Sequence, residues 1–278
     1  MLISLQVKLK QMLIDFEPKS KGIWGSEWVG LDNFTKFIQS YQFGRVFKNT
    51  LILSLYTIIA GFPMPIIFAL ILNCIRDGKF KKFSQTVVTL PHFISTTVMV
   101  GILFQLFDAR TGLYGMISEA LTGSYPENIF AASGTFRHLY VWSGVWQGFG
   151  WGSIIYIAAL TSVDPSYHEA AQIDGATRLQ RIRYIDFPAI LPTIVTMLIL
   201  RMGSVISLGF EKAYLMQNSF NIKTSEIIAT YQYSVSMASK SADFSYATAI
   251  GLFNNVIELI LVVTVNQISR KVSETSLW

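Results

Sequence analysis

Side chains able to do covalent or metal chemistry are few and scattered in this chain. His92, His138 and His168 share no metal-ligand spacing, and the single cysteine, Cys74, excludes an internal disulfide and any cysteine-based metal site. No G-x-x-x-x-G-K phosphate loop occurs, so the chain is not expected to hydrolyse ATP, to act as an enzyme or to bind a cofactor of its own. One stretch does stand out. Glu169-Ala170-Ala171-Gln172-Ile173-Asp174-Gly175-Ala176 runs on to Phe187-Pro188 and Pro192, a polar, helix-forming island between two apolar runs. Asp164 suits a helix N-cap and Pro165 the first helical position, where no N–H is needed. Ala170, Ala171 and Ile173 carry that helix to Asp174-Gly175, where a residue tolerant of positive φ reverses the chain cheaply. A second short helix holds Leu179 and Ile182 among Arg178, Arg181 and Arg183. The chemistry such a knob offers is non-covalent: a carboxylate such as Glu169 can pair with an arginine lining a partner's groove. Taken alone, Glu169 reads equally well as a solvated helical glutamate, and Gly175 as an ordinary turn glycine.

A second set of residues could bind a polyhydroxylated molecule. Sugars need hydrogen bonds to hydroxyls together with aromatic faces. Trp146, Gln147 and Trp151 lie in one apolar run, and Asn254, Asn255 and Glu258 in another. Asn254 and Glu258 are four apart on one helical face, as are Gln147 and Trp151, and the two faces are expected to meet across a cavity. The tryptophans serve bundle packing or interfacial anchoring at least as readily. Gly144, Gly148 and Gly152 form a small-residue stripe that favours close helix contact. Arg201 is expected to snorkel or to pair with another span, for instance at Glu258.

The elements that must position these groups are membrane spans. The chain is 51% hydrophobic and only 14% charged, a balance foreign to soluble globular proteins. Its net charge of +5 sits in short loops between apolar runs, which is a topology signal and argues against nucleic acid. Five runs are predicted, near residues 50–72, 87–107, 138–160, 190–210 and 246–268. Pro63 and Pro65 should kink the first. A short helix is expected within residues 224–235. Arg76, Lys79, Lys81 and Lys82, the island at 162–188, and Arg270-Lys271 fall on one side, which their charge marks as cytoplasmic. Residues 1–46 then form an N-terminal extracytoplasmic segment, in conflict with Lys8, Lys10, Lys19 and Lys21, and residues 47–278 the membrane domain.

Glu169-Ala170-Ala171, Gly175 six residues after the glutamate, then Ile185, Phe187 and Pro188 resemble the EAA signature of binding-protein-dependent ABC importer permeases. Phe187 stands where the family usually has Leu, and Ile182 where it often has an aromatic. Trp28-Val29-Gly30-Leu31-Asp32-Asn33-Phe34, Leu90-Pro91-His92-Phe93-Ile94-Ser95 and Gly209-Phe210-Glu211-Lys212 are similar to the polysaccharide and oligosaccharide branch of that family. The resemblance implies an all-α integral membrane protein of the cell membrane, a bundle of five transmembrane helices of the type I importer kind, or six if a further N-terminal span precedes them. It implies ATPase coupling through Glu169, Ala170, Ala171, Asp174 and Gly175. It implies as partners a second, homologous permease, two ATPase subunits carrying ATP and Mg, an extracellular solute-binding lipoprotein and a carbohydrate cargo. The competing readings are an ion-coupled secondary transporter of a polar solute, with Glu258 as its intramembrane carboxylate, and a non-transporting membrane scaffold.

Overall fold

The computed structural model describes residues 14–15, 27–75, 78–204, 208–238 and 242–273. Arg76, the lysines before residue 22 and the side chain of Lys271 lie outside the described residues, as does most of the N-terminal segment assigned to 1–46. Ile14–Asp15 (β1) and Glu27–Trp28 (β2) pair antiparallel, with Ile14 opposite Trp28. Everything else that is regular among the described residues is helical.

The chain divides into two compact units. One comprises Met1–Ser54, Phe104–Arg137 and Ser204–Ile260, the other Leu55–Leu103, His138–Gly203 and Leu261–Trp278. In the first, helices α1 (Asp32–Gln39) and α2 (Phe43–Gly61) bring Phe37 and Val46 onto Ile228, Tyr231, Tyr246 and Ile250. That core is aromatic: Phe37 meets Phe43 edge-on at 5.1 Å and lies stacked on Tyr231 at 6.2 Å, geometries that ring quadrupoles favour. In the second, α3 (Pro63–Asn73) sets Ile66, Ala69 and Leu70 against Tyr156, Leu160, Ile190 and Ile194.

Burial in these helices is inverted relative to a soluble protein. Leu55, Ile59, Ile71, Leu200, Leu259 and Ile260 are exposed, whereas Asn49, Thr50, Ser54, Ser153 and Asn266 are buried. Apolar surface of this extent is stable only against lipid or another apolar surface. Among the described residues, three helical runs are long and apolar enough to cross a membrane: Phe43–Asn73, Arg178–Met202 and Phe244–Ile268. A bent pair, α4 (Lys79–Thr89) with its 3₁₀ extension to Phe93 and then α5 (Thr96–Leu106), qualifies as a fourth. Helix α7 (Phe136–Thr161), after the short α6 (Leu113–Thr122), is 26 residues long but falls short in apolarity, because glycine, serine and amphipathic aromatic residues fill it.

The backbone differs from the sequence reading at three places. Phe62 keeps helical angles (φ −71°, ψ −41°) and its N–H reaches Ile58 O at 2.9 Å, so α2 and α3 follow one another across Pro63 without a sharp bend, together a run of 31 residues. Pro63 sits at the first position of α3, where its missing donor costs little. The sharp bend comes instead after Pro91: the two halves of the second run meet at 99°. The fourth run ends at Met202 rather than near residue 210. Gly203 caps it, and Phe210 opens a separate helix, α11 (Phe210–Met216). Where one short helix was expected, α12 (Ile222–Ser225) and α13 (Ile228–Tyr233) are two, split at Glu226-Ile227.

Candidate functional site: an exposed helix-turn-helix and a braced break

The island around Glu169 folds by local chemistry. Asp164 Oδ1 accepts from Ser166 N–H at 2.9 Å and Pro165 follows it, starting α8 (Pro165–Ile173). The Ser166 N–H, with the Ser166 hydroxyl, holds the Asp164 carboxyl below the usual carboxylate range. At the other end Gly175 takes φ +80°. Its N–H reaches Gln172 O at 3.1 Å, while Ala176 N–H reaches Ala171 O at 2.8 Å. This paired pattern is a Schellman turn, which satisfies two carbonyls that the helix end leaves open. A Cβ at Gly175 would meet nothing within 4 Å, so the dihedral and not space demands glycine there. Thr177 and Gln180 then form a reciprocal capping box opening α9 (Arg178–Arg181).

Glu169, Ala170, Asp174 and Gly175 are all exposed, and Ala171 is half-buried. Apolar side chains of this knob stand at its surface. Ile173 is 86% exposed and Leu179 73%, and Tyr167 is exposed as well. No spacing rule signals this, since a helix of nine residues carries too little pattern to tell an inward from an outward apolar side chain. The presented surface is therefore mixed: a carboxylate, arginines and apolar tips.

After α9 the helix loosens into a π turn, Ile182–Asp186, whose signature is Phe187 N–H reaching Ile182 O. Helix α10 (Phe187–Met202) follows at once, with Pro188 in its first turn. Asp186 is buried, 2% exposed. Asn73 Nδ2 donates to its Oδ1 at 3.1 Å, and His168 Nε2 lies 3.2 Å from the same oxygen.

The second candidate set lies in different units: Trp146, Gln147 and Trp151 in one, Asn254, Asn255 and Glu258 in the other. Gln147 Nε2 donates to Ile94 O at 2.7 Å, directly at the 99° bend. A carbonyl freed by a helix break within apolar surroundings needs such a partner. Trp151 stacks on His92 of the same break at 4.6 Å, with the rings 6° from parallel. Of the glycines, Gly152 approaches the Pro65 ring, whereas Gly148 faces open space. The closest approach is at Gly150, off the stripe, where a Cβ would lie 2.1 Å from Val88 O. On α14 (Phe244–Ser273), Asn254 Oδ1 and Glu258 Oε1 are buried with no hydrogen-bond partner among the described residues. Asn255 on the same helix is exposed. Such orphaned oxygens, one helical turn apart, call for a ligand or a partner group.

Residues 47–274 match the family described as binding-protein-dependent transport system inner membrane component. The chain is similar to Protein LplB of Bacillus subtilis (strain 168), 40% identical over 269 residues, covering 96% of this chain and 84% of that protein. It is also similar to the polygalacturonan/rhamnogalacturonan transport system permease protein YteP of the same strain, 41% identical, covering 95% and 81%. Among solved structures, a chain of a bacterial alginate ABC transporter in complex with alginate pentasaccharide-bound periplasmic protein superposes with a TM-score of 0.86. It is 36% identical, covering 99% of this chain and 89% of that one. With a profile matched over most of its length and full-length relatives this similar, the chain belongs to the binding-protein-dependent transport system inner membrane component family.

Proposed function

We propose that this chain is the membrane-spanning permease subunit of an ATP-driven importer that carries an oligosaccharide or a polysaccharide fragment. Its named relatives include a permease for polygalacturonan and rhamnogalacturonan and a transporter solved with an alginate-bound periplasmic protein. Five spans in a type I arrangement fit the sequence, α7 being the fifth. The permease pairs with a second, homologous chain, receives its cargo from an extracellular binding protein and draws on two ATPase subunits that hold the ATP and Mg. The observation that carries the reading is the exposed helix-turn-helix at Glu169–Gly175 in a chain of this family. Glu169 pairs with a basic groove of the ATPase, and Ile173 and Leu179 fill its apolar floor, which explains why side chains of that kind stand in water. The ion-coupled alternative rests on Glu258 alone and leaves this knob without a purpose.

The groups that meet the cargo are Trp146, Gln147 and Trp151 on α7 and Asn254, Asn255 and Glu258 on α14. The unpartnered Asn254 and Glu258 oxygens support this, since sugar hydroxyls would satisfy them. Two measurements test the proposal. In a Cys74→Ser background, Gln172→Cys should be labelled by an impermeant reagent only from the cytoplasmic face; labelling in intact cells would overturn the topology. Import of a panel of neutral and uronic-acid oligosaccharides into proteoliposomes should need ATP and the binding protein. For any sugar imported, Asn254→Ala with Gln147→Ala should reduce uptake while ATPase recovery stays unchanged; full uptake would remove this path.

A further inference from the structure

Asp186 has a task that neither docking nor cargo accounts for. A buried carboxylate is expensive unless bonded on all sides, so its retention at a helix start needs a reason. Three chain segments converge on this one group. Asn73 is the last residue of α3 and ends the first candidate span; His168 precedes Glu169 in α8; Asp186 itself closes the π turn that leads into α10. The Asn73 contact joins residues 113 apart in sequence. Arg181, one turn before, acts on the same carboxylate. Helix α8 keeps its shape through its own caps, and Ile182 at the start of the π turn packs against the apolar cluster of Ile66, Ala69 and Leu70. The bonds at Asp186 tie it to α3 through a buried, directional contact. π turns of this kind often occur at functional sites.

We propose that Asp186, clasped by Asn73 and His168, is the joint that makes the Glu169 knob and the first span move as one body during the transport cycle. It is a positioning residue, touching neither cargo nor nucleotide. The inference rests on the reading that the knob docks the ATPase, and the test below separates the two.

The complete transporter is purified in nanodiscs with Cys74→Ser, and spin labels are placed through Ile67→Cys on α3 and Gln172→Cys on the knob. Both positions are exposed. Pulsed EPR distances are recorded without nucleotide and with ATP plus vanadate, so no cargo need be known. The joint predicts a narrow distribution that shifts by less than about 2 Å between the two states, because both labels ride on one rigid body. In Asp186→Ala the distribution should broaden and become nucleotide-dependent while the ATPase still co-purifies, and Asp186→Asn, which keeps an acceptor oxygen, should restore the narrow form. Adding Asn73→Ala to Asp186→Ala should change nothing further, since both cut the same joint. A distance that already shifts with nucleotide in the unaltered protein overturns the proposal, and so does a narrow, unshifted one in Asp186→Ala. Should Asp186→Ala fail to assemble, Asn73→Ala and His168→Gln carry the same test. Wild-type distances in both would equally overturn the joint. Docking is read separately from Glu169→Lys: if that variant retains the ATPase, the docking reading falls, whatever the labels report.

Discussion

The knob around Glu169 and the segment from residue 211 to 233 are both built of short helices, yet they are held in opposite ways. In the knob, nearly every bond spans a handful of residues: the Asp164 cap, the Schellman turn at Gly175, the Thr177–Gln180 box. In the other segment the bonds are long-range. Asn218 and Asn221 donate to Phe130 O at 2.9 and 3.1 Å, Thr224 to Ser133 O at 2.6 Å, and Asn49 to the carbonyls of Lys223 and Glu226. Arg45 pairs with Glu226 beneath them, and Arg137 donates to Asn49 at 2.9 Å. A locally stabilised element can move as a unit without unfolding. A segment sewn to distant carbonyls can only stay where it is. The first keeps its shape by itself, and the second takes its shape from the rest of its unit.

That contrast can be broken most severely at Glu169. Glu169→Lys should reduce ATPase recovery by at least about ten-fold, as expected when a buried interfacial charge pair becomes a like-charge contact. The thermal midpoint of the permease should not change, because Glu169 is exposed and its helix is capped elsewhere. A matching loss of stability would mean that the knob is structural after all.

Asn221→Ala should do the reverse. Asn221 is fully buried and serves four bonds, to Phe130 O, Met216 O, Asn218 N and Ser225 Oγ. Leaving such groups unpaired should cost roughly 2–4 kcal/mol. The readout is thermal unfolding in detergent, with ATPase recovery per folded permease unchanged. A neutral effect would show that the long-range bonds are not what fixes this segment.

Gly175→Val probes the turn with less force. No atom obstructs the new side chain, so the cost is the left-handed backbone alone, roughly 1–2 kcal/mol confined to the turn. Limited proteolysis after Arg178 and Arg181 should quicken, while global unfolding barely moves.

The smallest effect concerns pH. The Asp164 carboxylate has a depressed pKa in the folded chain, so its contribution is present above the unfolded value near 3.9 and is lost as pH falls through the folded one. Amide exchange over the first turn of α8, corrected for intrinsic rates, should rise below about pH 4 and should be flat with pH in Asp164→Asn. Equal pH dependence in the variant would assign the cap elsewhere.

Much of the knob was legible before any coordinates, because caps and turns are decided within four or five residues. Asp164-Pro165, Gly175 and the apolar run after Phe187 all behave as their types dictate. The break in the second run was not legible: Pro91 marked its entrance, but two prolines at 63 and 65 carried the stronger helix-breaking signal. What decided between them was surroundings. Pro63 fell at a helix start, whereas the carbonyl of Ile94 found Gln147, 53 residues away. Gln147 and Trp151, picked out as groups for a sugar, turn out to brace that break as well. The exposure of Ile173 and Leu179 was likewise beyond reach, since apolarity alone does not say which apolar residues a partner will cover.

The sequence by itself determined that this chain lives in a membrane, which stretches form its long apolar helices, and which loop carries the family signature. Each of these depends on composition over a run or on contacts along one turn. Only the tertiary structure decided which glycine admits a neighbouring backbone, which oxygens on α14 are left wanting, and that Asp186 closes on Asn73 and His168. Those outcomes depend on contacts across tens to more than a hundred residues, where the identity of a side chain does not reveal what it will meet.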